Sequence, residues 1–288
     1  VRIVSLLPSA TEILFAIGAG SEVVGVTHEC DYPPQALSLP KLTAAAGPEL
    51  ERPAEIDRHV RASVHAGSSL YLLNSALLEQ LAPDLIVTQE LCAVCAVSYD
   101  IVDAAVRRLR SDPRIVSLEP TSLNEVLGTI AMLGDLTRRT DAAKALVASL
   151  AARIAALPGK GSTRTLVLEW TDPPMSAGHW IPDLIELAGG APVLAHPHEN
   201  SRRLTWSEIA GADPEAVIVS PCGFDLSRTQ HETAELDRVS EWRSLAARRT
   251  GRVLAMDGNA YLSRPGPRLV DAAEMIARWY TYGAEYAG

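Results

Sequence analysis

Short apolar runs rich in Val, Ile and Leu punctuate the first half of the chain, at 2–6, 23–26, 85–88 and 115–118. They show little polar–apolar alternation, the pattern of strands buried on both faces of a parallel sheet. Stretches with helical spacing separate them. Ser9-Ala-Thr-Glu12 opens the first, which closes at Gly18-Ala-Gly20, and Ser9 and Glu12 stand at capping-box spacing. Residues 75–81 form a second, stopped before Pro83, and residues 99–111 a third. Residues 41–71 fit neither template; they hold Arg52, Arg58 and Arg61 near His59 and His65.

A longer helical pattern covers 122–157 and ends at Pro158-Gly-Lys-Gly. Leu123, Val126, Leu127, Ile130, Leu133 and Leu136 recur at helical spacing, and Ser122-Leu-Asn-Glu125 is a second capping box. A break is expected at 137–140. Mostly continuous, the segment would span about 50 Å at ~1.5 Å per residue, enough to bridge two domains. Beyond Gly161 the alternation restarts, with strands at 165–169, 216–220 and 252–255 and helices at 181–188, 206–210, 242–247 and 269–280. The expectation is an α/β protein with an N-terminal lobe over 1–121, a bridging helix over 122–158 and a C-terminal lobe over 159–288. A ligand cleft would lie between the lobes.

The net charge of -9 opposes nonspecific binding to phosphate backbones, so no nucleic-acid partner is expected. No apolar run approaches the ~18 residues that span a bilayer, so no membrane insertion is expected either. Before the first strand run there is no basic, apolar and small-residue leader pattern. Either the chain is cytoplasmic as written or a signal has been removed, leaving a periplasmic or extracellular protein. The cytoplasmic location is the expectation, because four cysteines on loops read as ligands or reactive thiols rather than structural disulfides.

Each cysteine follows a strand run: Cys30 after 23–26, Cys92 and Cys95 after 85–88, and Cys222 after 216–220. Ligands of open α/β sheets bind beyond the carboxyl ends of parallel strands, so all four point to functional edges. Cys92 and Cys95 form a C-x-x-C turn that can place two sulfurs on one metal. Cys30 and Cys222 could complete a thiolate site for zinc or an iron–sulfur cluster, with His28 as a further ligand. Two other readings compete: a redox-active Cys92–Cys95 pair, and plain structural thiols. No G-x-S-x-G, G-x-x-x-x-G-K-[ST], H-E-x-x-H or G-x-G-x-x-G motif is present, so the case for an enzyme is thin.

Several segments carry a family likeness. Ile3-Val-Ser-Leu-Leu-Pro-Ser-Ala-Thr-Glu-Ile-Leu-Phe-Ala-Ile-Gly resembles the opening of the cobalamin- and iron-siderophore-binding proteins of ABC importers. Leu81-Ala-Pro-Asp-Leu-Ile-Val, Ile185-Glu-Leu-Ala-Gly-Gly and Ala212-Asp-Pro-Glu-Ala-Val-Ile-Val-Ser extend the resemblance in order along nearly the whole chain. The cobalamin-binding branch is the nearest match. The resemblance implies two Rossmann-like lobes joined by a long rigid helix, clamping a corrinoid or another small-molecule metal chelate with little hinge motion. It also implies an ABC importer as partner if the chain is exported; a cytoplasmic version would store, sense or hand over the cofactor.

Flat side chains on the edge loops suit such a planar ligand. Trp170 and Trp180 follow the strand at 165–169, Tyr32 follows Cys30, and Tyr261 follows the last strand; filling the interdomain seam is the alternative for each. Trp206, Trp242 and Trp279 lie on helical patterns and read as packing. The helix start at Ser9 offers free N–H groups to a ligand, and Arg264 a guanidinium. The expected function is therefore a non-catalytic clamp for a cobalamin-like corrinoid. A cysteine-ligated metal or iron–sulfur protein on the same scaffold is the alternative, and a C-x-x-C redox enzyme the third reading.

Overall fold

A computed structural model describes residues 1–66, 68–89, 99–107 and 112–283. The chain divides into two compact units, Val1–Glu119 with Leu127–Ala148, and Pro120–Val126 with the chain from Ser149 onward.

The N-terminal unit runs β1 (Ile3–Ser5), α1 (Pro8–Ala16), β2 (Val23–Val26), β3 (Thr43–Ala45), α2 (Pro53–His65), β4 (Tyr71–Leu73), α3 (Ser75–Leu81), β5 (Leu85–Thr88), α4 (Tyr99–Val106) and β6 (Arg114–Ser117). Its main sheet has the order β2-β1-β5-β6, parallel throughout. Every residue of β1 and of β5 is buried, which is why these runs lack alternation. Val4, Leu6, Leu42, Leu78, Ile86 and Val102 form one core cluster of this unit, each such side chain contributing about 1.5–3 kcal/mol on burial. From β1 the chain builds outward to β2 and then returns to the other side for β5. The strand order therefore reverses beside β1, the place where open α/β sheets bind ligands.

Local signals set the helix ends. Asn74 Oδ1 accepts the Leu77 N–H at 3.0 Å to start α3, and left-handed Ala82 (φ 41°) ends it ahead of Pro83. The start of α1 departs from the sequence reading. Leu7 is its N-cap, with no side-chain cap, and Pro8 takes the first helical position; Ser9 lies inside the first turn. The expected Ser9–Glu12 capping box is thus not formed. The unassigned stretch holds α2 and the antiparallel β3–β4 pair, with Thr43 opposite Leu73.

The 122–158 segment is two helices, α5 (Leu123–Leu136) and α6 (Thr140–Ala155), rather than one uninterrupted rod. Arg138 in the left-handed region (φ 57°) makes the break. A Cβ on Gly134 would come within 2.3 Å of the Ala143 side chain, so a small residue is needed where the two helices meet. The Ser122–Glu125 capping box is formed: Ser122 Oγ accepts the Glu125 N–H, and Glu125 Oε2 the Ser122 N–H, both at 3.2 Å.

The C-terminal unit continues with β7 (Thr163–Thr171), β8 (Pro174–Ser176), α7 (Ile181–Leu187), β9 (Gly190–Pro192), β10 (Arg202–Arg203), α8 (Trp206–Ala212), β11 (Ala216–Val219), α9 (Leu226–Glu235), α10 (Ser240–Ser244), α11 (Ala246–Arg249), β12 (Val253–Ala255) and α12 (Arg268–Tyr282). Its sheet runs β10-β8-β7-β11-β12, with β9 also on β7. Strands β9, β7, β11 and β12 are parallel; β8 and β10 add antiparallel pairs. Alternate residues feed two cores. Val167, Ala216, Ile218 and Leu254 pack with Ile276 and Trp279 on one face. Leu166, Leu168, Val217 and Val219 pack with Ile209 and Trp242 on the other. Trp242 and Trp279 are buried, and Trp206 packs edge-on against Trp242.

Candidate functional site

In the N-terminal unit the loop after β2 carries three of the expected site residues. His28 Nδ1 lies 2.7 Å from Thr43 Oγ1, and its ring is tilted against Tyr71 at 5.7 Å. Partial burial of the ring, and secondarily the Lys41 charge, push its pKa below the ordinary histidine value. Tyr32 is 43% exposed, so its ring is open to a ligand. Cys30 is enclosed, with Sγ 3.1 Å from Thr11 Oγ1 and 3.4 Å from Thr27 Oγ1. The Thr11 hydroxyl also lies 2.8 Å from Ser5 Oγ and within reach of the Leu7 carbonyl, so the Cys30 sulfur joins a buried polar chain. Ser9 is buried as well. Cys92 and Cys95 lie outside the described residues.

The carboxyl edge of the C-terminal unit is built by three loops. After β7 come Asp172 and the cis Asp172–Pro173 bond, with Trp170 at the strand's end; its Nε1–H donates to the Asp172 carbonyl at 3.1 Å. After β11 the Cys222 N–H donates to the Glu169 carbonyl at 3.1 Å, which places half-buried Cys222 beside β7. Phe224 follows, its ring 5.2 Å from Trp170 and capped by the Arg228 guanidinium 3.6 Å from the ring centre. After β12, Asp257 caps the turn that bears half-buried Tyr261, and the Asn259 N–H donates to the Phe224 carbonyl at 3.1 Å. Arg264 is buried and donates to Asn259 Oδ1 at 2.7 Å. Flat and cationic side chains thus converge at this edge.

Trp180 is placed elsewhere than expected. It is 7% exposed in the hydrophobic core, with Nε1–H donating to the Leu262 carbonyl at 3.0 Å. As the residue before α7, it is carried inward by that helix's buried face. The residues that sequence reasoning passed over are Glu169, Phe224, Arg228 and Asn259. Glu169 hydrogen-bonds Ser201 Oγ–H and the Gly178 N–H, and burial of its carboxyl pushes its pKa above the usual carboxylate value. Phe224 and Arg228 had one signal, an Asp225 cap three residues before Arg228.

Among the described residues no three His, Cys, Asp or Glu side chains converge to hold a metal ion. An iron–sulfur or other cysteine-cluster centre therefore finds no support in them. Cys30 is enclosed, with its sulfur within hydrogen-bond distance of the Thr11 and Thr27 hydroxyls. No helix among the described residues is long and apolar enough to cross a membrane.

Parallel α/β units with candidate contact residues at their carboxyl edges have the arrangement by which open α/β sheets bind ligands. The family model described as "Periplasmic binding protein" matches residues 3–260, and the chain belongs to that family, the substrate-binding proteins of ABC importers. Members of that family are substrate-binding proteins rather than enzymes. The chain is 25% identical to the vitamin B12-binding protein of Vibrio cholerae over 287 residues, covering 96% of this chain and 88% of that one. It is 27% identical to the cobalamin-binding protein of Halobacterium salinarum over 286 residues, covering 96% of this chain and 68% of that one. Among solved structures, the periplasmic heme-binding protein of Vibrio cholerae superposes with a TM-score of 0.72 at 20% identity, over 98% of each chain. The same organism's periplasmic vitamin B12-binding protein gives 0.65 at 20% identity, over 98% of this chain and 97% of that one. The fold is thus shared by binders of both chelates and does not choose between them. Family membership also corrects the expected location. A cytoplasmic protein was inferred from the lack of a leader pattern, and a family of periplasmic binding proteins overturns that inference.

Proposed function

We propose that this protein binds a cobalamin-like corrinoid on the outer side of the membrane and delivers it to an ABC importer. The observation that carries the reading is the similarity to the Vibrio vitamin B12-binding protein across 96% of the chain. The chemistry of the edges supports it. Trp170 in the C-terminal unit, backed by buried Phe224, and Tyr32 in the N-terminal unit offer flat surface with little rotamer entropy to lose. Tyr261, Cys222 and Arg264 supply polar and polarizable groups beside that surface, and His28 an imidazole biased toward its neutral form. In this reading Cys30 and Ser9 support the loops rather than touch the cargo.

The test is a titration followed by absorption. Cyanocobalamin is expected to bind with one-to-one stoichiometry, and Trp170→Ala to weaken binding about tenfold, as loss of an aromatic anchor does. Saturation by hemin with no uptake of cyanocobalamin would overturn the corrinoid reading.

A further inference from the structure

The Phe224 ring packs against both a cation and an indole. The Arg228 guanidinium carbon stands 3.6 Å from the ring centre, and the Trp170 indole packs at 5.2 Å with the planes 58° apart. Phe224 is 3% exposed and Trp170 half-buried, so the stack runs from the interior to the ligand edge. Both ends are anchored. Trp170 Nε1–H is fixed on the Asp172 carbonyl, and Arg228 sits in the first turn of α9, whose cap Asp225 accepts the Arg228 N–H at 2.8 Å. Glu232 lies in the electrostatic neighbourhood of both Arg228 and Asp172. A guanidinium over an aromatic face is attracted by the ring's negative quadrupole, and the attraction grows as water is excluded.

We propose that Arg228 is a positioning residue for the ligand edge: its guanidinium clamps Phe224, and Phe224 sets the plane in which Trp170 meets the corrinoid. The proposal rests on the corrinoid reading for its ligand and on the stack alone for its geometry. Arg228 acts through Phe224 and Trp170 rather than by touching the cargo.

The experiment uses the full chain labelled with 5-fluorotryptophan. Of the five tryptophan resonances, that of Trp170 is identified with Trp170→Phe. In ligand-free protein, Arg228→Gln and Phe224→Leu are expected to shift the Trp170 resonance and leave the other four in place. Cyanocobalamin affinity should fall roughly tenfold in both, the scale of a desolvated cation–π contact, while Arg228→Lys stays within about threefold of wild type. Phe224→Leu leaves the carboxylates around Arg228 intact, so it separates the ring contact from ion pairing. An unmoved Trp170 resonance in either variant overturns the stack, and a moved resonance with unchanged affinity overturns its positioning role. If wild-type protein takes up no cobalamin, the corrinoid reading fails by itself, and the fluorine shift still decides whether Arg228 sets the Trp170 plane.

Discussion

The Sγ of Cys30 lies 3.1 Å from Oγ1 of Thr11, in a buried chain of polar groups that continues to Ser5. This relationship makes Cys30 part of the buried, hydrogen-bonded root of α1. In a Cys92→Ser/Cys95→Ser variant, a thiol reagent is expected to modify Cys222 in native protein and Cys30 only after unfolding. Cys30→Ala should cost about 1 kcal/mol or more, since it leaves a small void and weakens the hydroxyl chain. Equal labelling rates at Cys30 and Cys222, read by mass spectrometry, would contradict this assignment.

Glu169 predicts a pH dependence. Burial raises its pKa in the folded protein above the ordinary carboxylate value, and the sign follows from linkage. Its contribution to stability is fully present below the unfolded value. It is lost as pH rises through the folded value, because the folded state holds the charged form less well than water does. Glu169→Gln keeps an acceptor for Ser201 Oγ–H and the Gly178 N–H but cannot ionise. Urea unfolding between pH 4 and pH 8 should therefore show a flatter profile for Glu169→Gln, with stability at neutral pH equal to wild type or above it. Matching slopes in the two proteins would refute the raised carboxyl.

Gly258 sits where two edge loops touch. A Cβ at this position would stand 2.1 Å from the Pro221 carbonyl oxygen, and backbone on both sides leaves no side chain to move away. Gly258→Ala is expected to destabilise the protein by about 1–3 kcal/mol, the range for overpacking, and to weaken cargo binding by shifting the loops that bear Cys222 and Tyr261. Calorimetry and the cyanocobalamin titration check both effects, and a wild-type melting temperature would count against the contact.

The strands and helices with strong local signals were legible in the chain. Residues 23–26, 85–88 and 75–81 have the bounds that the apolar runs and the Pro83 stop dictate. The pieces that were not legible are short or have no period of their own. Strands β3, β4, β8, β9 and β10 are two or three residues long and exist through pairing with distant partners, such as Ser176 with Arg202. Helix α9 hides in a polar stretch, Leu226–Glu235, of which only Thr229 is buried. Trp170, Cys222 and Tyr261 lie at the carboxyl ends of strands, as their place in the sequence led one to expect. Trp180 was misplaced because position after a strand does not reveal which way a helix will carry a ring.

By itself the sequence determined the α/β class, the positions of the main strands along the chain and the family, because these depend on local periodicity and on motifs that stay contiguous along the chain. The tertiary structure decided which side chains meet. Only folding brings Arg228 over Phe224 and Phe224 against Trp170, and only folding encloses the Cys30 thiol between two threonines. Burial, the direction of a hydrogen bond and the shift of a carboxyl's pKa are sums over neighbours distant in sequence. No window along the chain contains them.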